Sequence, residues 1–308
     1  MIQRAPTHTR ICLDLSSSER IGAHAKLPCD GVGLMRAEYL ARSLGIHPRK
    51  LIADREEEKF LDLFSQHIVR LARAFAPRQM VYRLLDMSSH EYASLAGGAE
   101  YEKPEYEKED QGLGFRGCSR SLAEEASFRM ELRAVKRARD MGCVNVDLLL
   151  PFVRVPDELA RCREIVIEEG LFASAEFELW MTAELPSTIL GIEEFLPHVS
   201  GVLIDCDVLM QQLTSPGSND SSSARKLDSI QPTVLDAIAR VARACRERGL
   251  ASSICGEAIS RDLGMIRASI ENGLSGLSIP PESFEAMVAA VTAAEAELGI
   301  LPEREMAT

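Results

Sequence analysis

The sequence predicts a single closed (β/α)8 barrel of α/β class spanning residues 1–308. Three observations carry this expectation. Eight short apolar runs recur along the chain, the segments between them have the 3–4 spacing of amphipathic helices, and the length, enough for a full core, suits one large α/β domain or two small ones.

The runs come in order as "ICLDL" (11–15), "GVGLM" (31–35), "MVYRLLD" (80–86) and "NVDLLLPFV" (145–153) in the first half. "FELWMTAEL" (177–185), "GVLIDCD" (201–207), "SSICGE" (252–257) and "GLSGLSI" (273–279) complete the set. They are rich in β-branched or large aliphatic residues. A helix is predicted over 54–75, where Phe60, Leu61, Phe64, Ile68 and Leu71 share a face. Another is predicted over 231–247, where Val234, Leu235, Ile238, Val241, Ala242 and Cys245 do the same.

Two segments break the rhythm, a charged loop over 97–111 and the small polar stretch "TSPGSNDSSSARK" (214–226), which is expected to be mobile. Each follows a predicted strand, on the barrel face that carries active sites. No internal repeat or linker divides the chain.

Charge and composition narrow the function. With 47 acidic and 35 basic residues the net charge is −12, against a broad nucleic-acid or anionic-membrane surface, so an anionic ligand needs a local pocket. The eight cysteines form no CxxC pair and no zinc-spaced cluster with histidine, which points to reduced thiols. No apolar run reaches 18 residues, and "MIQRAPTHTR" lacks the core of a signal peptide, so the expectation is a soluble cytoplasmic protein.

Residues at the C-terminal ends of barrel strands converge on one mouth. Here they are Arg83, Asp86, Arg154, Glu184, Asp205, Asp207 and Cys255, with Arg116 supplied by the stretch "GLGFRGCSR" (112–120). Arginine forks suit phosphate or carboxylate, paired carboxylates suit Mg²⁺, and a thiol can exchange a proton with carbon. Each also has a plainer role: an ion-pair partner for the arginines, a turn cap for Asp205 and Asp207, a small buried side chain for the cysteine.

The run "VYRLLDMSSHEYASLAGGAEYEKPEYEKEDQGLGFRGCSR" resembles the C-terminal barrel of the phosphoenolpyruvate synthase family. The likeness continues in the family's order through "GVGLMRAEYL", "GIHPR", "LLLPFVR", "AELPS", "SSICGE" and "LSGLSIPPE", over nearly the whole chain. It implies a barrel that binds phosphoenolpyruvate (PEP) or pyruvate with Mg²⁺ or Mn²⁺. By position, Arg83 and Arg116 are then similar to the phosphate-binding arginines, Glu184 to a metal-ligating glutamate, and Cys255 to the thiol that exchanges protons with the methylene carbon. Arg120 is expected to tie its loop down, and His47 in "GIHPR" to be structural. Members of the family dimerise through this barrel, so a homodimer is also expected.

Two departures from the family stand out. Where its members read "GSNDLTQ", this chain reads "DCDVLMQ" (205–211), with Asp207 at the substrate-binding Asn position and Val208 at the metal-binding Asp position. Asp205 or Asp207 then supplies the second metal ligand, or the metal site is weakened or lost. The family also joins its barrel to nucleotide-binding and phosphohistidine domains, neither of which is expected here.

The leading expectation is therefore a divergent PEP- or pyruvate-binding enzyme, transferase-like or lyase-like. It either exchanges phosphate with a separate phosphohistidine carrier protein or redirects the enolate to C–C bond chemistry. The alternative is a catalytically silent binding or regulatory subunit. A glycosidase with Glu184 and Asp207 as its acid pair is weakened by the low aromatic content of 5%.

Overall fold

A computed structural model describes residues 6–103, 114–213 and 223–300, without the side chains of 223–231. Eight parallel strands close into one barrel in chain order. They are β1 (Arg10–Leu15), β2 (Gly31–Arg36), β3 (Gln79–Arg83), β4 (Val146–Leu150), β5 (Leu179–Ala183), β6 (Gly201–Asp205), β7 (Ala251–Cys255) and β8 (Gly276–Ile279). Closure is made by β8 on β1, with Ile11 opposite Leu277 and Leu13 opposite Ile279.

All eight expected strands are present, and most end earlier than their apolar runs. The runs overshoot because the connections at the mouth are buried too: Leu84 and Leu85 follow β3 with 1% and 8% exposure, and Phe152 and Val153 follow β4 with 1% and 0%. Apolar character therefore marks depth here, while the strand stops where sheet pairing stops.

Successive strand residues point to opposite sides, which produces two cores. Leu34, Val81, Leu149, Trp180, Leu203 and Cys255 pack together as the smaller cluster, inside the barrel. Gly201 makes room for the indole, since a Cβ there would lie 2.6 Å from Trp180. The larger cluster joins the outward residues, such as Met80, Tyr82, Leu148 and Leu150, to the surrounding helices. The predicted helix at 54–75 is Glu57–Phe75, and it buries Phe60, Phe64, Ile68, Leu71 and Phe75 against that cluster. Each such side chain contributes roughly 1.5–3 kcal/mol by leaving water.

The helix expected at 231–247 forms the C-terminal part of Ser223–Glu247 and buries Val234, Ile238, Val241, Ala242 and Cys245. The charged loop 97–111 is described to Lys103 only. Of the polar stretch 214–226, residues 214–222 lie outside the described residues, and the backbone of 223–226 opens that helix. No described helix is long and apolar enough to cross a membrane.

Candidate active site

The upper ends of the strands carry an unusual density of charge. Asp14 and Arg36 come from the ends of β1 and β2, Arg83 ends β3, Glu184 follows β5, and Asp205 and Cys255 end β6 and β7. Asp86 lies just beyond β3, and Arg116 precedes the helix Gly117–Ala123. The strand-end rule thus brings together Arg83, Asp86, Glu184, Asp205 and Cys255, and the loop before Gly117 adds Arg116 beside Asp86 and Glu184.

Three guanidinium groups stand against three carboxylates. Arg116 donates from Nε to Asp86 Oδ1 at 2.9 Å and from Nη2 to Asp86 Oδ2 at 2.6 Å. Arg36 grips Asp14 with the same fork, Nε to Oδ1 at 3.1 Å and Nη2 to Oδ2 at 2.8 Å. Arg83 donates from Nη2 to Glu38 Oε1 at 2.6 Å, and that oxygen also accepts from the backbone N–H of Asp86 at 3.2 Å. Burial alone would push the Asp86 carboxyl up, but Arg116, Arg83 and Arg36 outweigh it and hold the pKa below the usual value.

Glu184 and Asp205 are different: among the described residues neither has a cationic side chain within ion-pair distance. Glu184 Oε1 accepts from the backbone N–H of Phe152 at 2.7 Å and from the Thr182 hydroxyl. Its Oε2 is buried with no hydrogen-bond partner among the described residues, as is the Nε of Arg83. Burial, followed by the charges of Asp86 and Asp205, pushes Glu184 up to about 7. Burial also raises Asp205, against the pull of Arg36.

Asp207 is already engaged. Its Oδ2 accepts from the Glu257 N–H at 2.6 Å and its Oδ1 from the Ala258 N–H at 3.1 Å, so it caps the helix Glu257–Arg261 across the β6–β7 boundary. Asp205 Oδ1 accepts from the Val208 N–H at 3.2 Å, capping its own following helix, Cys206–Leu213. The plainer capping role is therefore present for both residues. Among the described residues, no group of three or more His, Cys, Asp or Glu is arranged to hold a metal.

Cys255 is fully buried, and burial with the nearby charges of Asp205 and Asp14 raises its pKa well above the ordinary thiol value. It is therefore a protonated thiol at neutral pH, suited to giving a proton. Arg120 is spent on structure, as expected: its fork holds both oxygens of Glu102 at 2.8 Å, and Nη2 also donates to Ser89 Oγ at 2.8 Å. His47 pairs with the same Glu102 at 3.1 Å and accepts from the Arg49 N–H at the start of the helix Pro48–Ala53. Arg154 turns toward the Gly114 carbonyl.

Two cavities open on this layer. One, of about 510 Å³, is lined by Arg36, Arg83, Arg116, Glu38 and Asp86 among others. The other, of about 480 Å³, lies toward Asp14, Asp207 and Gly256, and Arg36, Ser16 and Ser17 line both.

Comparison with known proteins identifies the family of the barrel. Residues 2–296 match the family described as PEP-utilising enzyme, PEP-binding domain. The chain belongs to this family. It is 34% identical over 283 residues to a probable phosphoenolpyruvate synthase of Staphylothermus marinus, covering 90% of this chain and 34% of the relative. It is 33% identical over 298 residues to the phosphoenolpyruvate synthase of Pseudomonas aeruginosa, covering 89% of this chain and 37% of that one. The chain thus spans about a third of the length of these curated relatives. It is also similar to a solved HpcH/Hpal aldolase/citrate lyase family protein from Burkholderia cenocepacia, with TM-score 0.49, 15% identity and 95% of each chain covered.

Within this barrel the sequence reading missed Arg36, Asp14 and Glu38 as members of the charged layer. Arg36 was accessible to the reasoning that selected Arg83, because it ends a strand inside "GVGLMRAEYL". Glu38 was not, because it comes from the next helix, Glu38–Leu44, and joins the layer only through its bond to Arg83.

Proposed function

We propose that the barrel mouth binds phosphoenolpyruvate or pyruvate together with a divalent cation, Mg²⁺ or Mn²⁺, and supports proton transfer at the substrate's terminal carbon. The observation that carries this reading is the charge pattern of the mouth. Three arginines are each matched by one carboxylate, whereas Glu184 and Asp205 remain as two buried, unneutralised acids. A buried carboxylate pair repels unless it takes up a proton or a cation. The unpartnered Glu184 Oε2 fits a cation ligand, and the unpartnered Arg83 Nε fits an additional anion.

In this reading Glu184 and Asp205 hold the cation, and Asp207 fixes the wall rather than coordinating. A bound divalent ion supplies Lewis-acid stabilisation of enolate charge. Arg83, Arg116 and Arg36 bind and orient the phosphate and carboxylate, their forks already fixed by Glu38, Asp86 and Asp14. Cys255 holds the proton that adds to the methylene carbon when the enol becomes a ketone, and the thiolate this leaves takes a proton back from the methyl group in the reverse direction. The phosphoryl partner is a separate phosphohistidine carrier protein, or else the same enolate is used in C–C bond chemistry. The proposal includes a homodimer and a cytoplasmic location.

The engagement of Asp207 on two backbone amides favours a second reading, binding without turnover, because it leaves fewer carboxylates for a cation. Proton NMR of pyruvate in D₂O with Mg²⁺ separates the two. The enzyme reading predicts loss of the methyl signal that depends on protein and disappears in Cys255→Ala. Absence of exchange, with substrate binding retained, would select the silent subunit.

A further inference from the structure

We infer that Phe152 is a positioning residue that sets Arg116 relative to Glu184, linking the anion-binding and cation-binding sides of the mouth. The inference rests on the proposed function for the roles of those two partners. Phe152 has φ 50, a left-handed conformation that bulky residues rarely adopt, and it is 1% exposed. That conformation has two consequences. The backbone N–H is delivered to Glu184 Oε1 at 2.7 Å and to Thr182 Oγ1 at 3.0 Å. The ring face lies 4.5 Å beneath the Arg116 guanidinium carbon.

The backbone that carries Arg116 is seated on the same turn. The Cys118 N–H donates to the Pro151 carbonyl at 3.2 Å. Gly117 has φ 59, and a Cβ on it would lie 2.4 Å from Phe152 Cβ and 2.7 Å from the Pro151 oxygen. Only glycine allows this close approach, so Arg116 is held from above by Asp86 and from below by the ring. Moving Phe152 would disturb both the arginine and an oxygen of the carboxylate. Anion and cation binding should therefore be positively linked, and the ring's electrostatics, beyond its bulk, should matter.

The test replaces Phe152 with pentafluorophenylalanine, which keeps the ring's shape and reverses the charge of its face, with Phe152→Leu as a second variant. Crystal structures of the free proteins are compared with the parent, and PEP is titrated with and without Mg²⁺. The inference expects the Arg116 guanidinium to shift from its parental position in both variants. It also expects PEP affinity to fall roughly tenfold and most of the Mg²⁺ linkage to be lost. An unmoved Arg116 with parental affinity and linkage would overturn it. If the parent itself does not bind PEP, the proposed function fails, and the position of Arg116 alone decides the role of Phe152.

Discussion

Arg116 and Asp86 meet fork to fork at the barrel mouth, at 2.9 and 2.6 Å, with the aspartate side chain 1% exposed and the arginine 29%. The carboxylate is the deep partner and the guanidinium the one that reaches the cavity, so under the proposed function Asp86 presents Arg116 to the ligand. Arg116→Ala should weaken PEP binding by about 2–5 kcal/mol, and Asp86→Asn should follow in the same direction because it releases the arginine. Calorimetry on both variants checks this; parental affinity in Asp86→Asn would separate the ion pair from binding.

The carboxylates around β6 should divide by role. Glu184→Gln and Asp205→Asn should each abolish Mg²⁺ binding measured in the presence of PEP. Asp207→Asn should leave the metal affinity near parental and lower unfolding stability by about 1 kcal/mol, the scale of a lost helix cap. Loss of Mg²⁺ binding in Asp207→Asn would return that residue to the metal site.

Cys255 should be an unreactive thiol. Because it is fully buried and its pKa is raised, iodoacetamide at pH 7.5 should leave it unmodified in the folded protein and modify it after denaturation. Mass spectrometry of digests reads the outcome, and rapid native-state labelling would contradict a protonated acid at this position.

Glu131 governs part of the pH dependence of stability. It is buried, accepts from Tyr82 Oη at 2.8 Å and from the Leu85 N–H at 3.0 Å, and burial raises its pKa to about 8 from an ordinary 4.5. The folded state therefore binds more protons than the unfolded state between those values, and its contribution to stability falls as pH rises through the window. Glu131→Gln should flatten the decline between pH 6 and 9 by roughly 2–3 kcal/mol. Denaturant titrations at both pH values test this; equal slopes for parent and variant would contradict it.

Strand-end placement made most of the mouth legible in the sequence, because a barrel brings strand C-termini together whatever lies between them. Arg83, Asp86, Glu184, Asp205 and Cys255 could all be found that way, whereas Arg116 came from the glycine-rich stretch 112–120. Asp207 shows the limit: that its oxygens accept from the amides of Glu257 and Ala258, 50 and 51 residues away, could not be read from its place after a strand end. Phe152 was invisible for a related reason. Its importance lies in a left-handed backbone and a ring face, and apolar periodicity records neither.

The central claim is a mouth in which cation and anion binding support each other, and isothermal titration of PEP into the protein with and without Mg²⁺ addresses it most directly. The account predicts saturable binding that tightens at least tenfold with Mg²⁺ and weakens in Arg116→Ala, because Glu184 and Asp205 repel an anion until a cation neutralises them. Absence of binding under both conditions, or binding unaffected by Mg²⁺ and by the loss of Arg116, would contradict it.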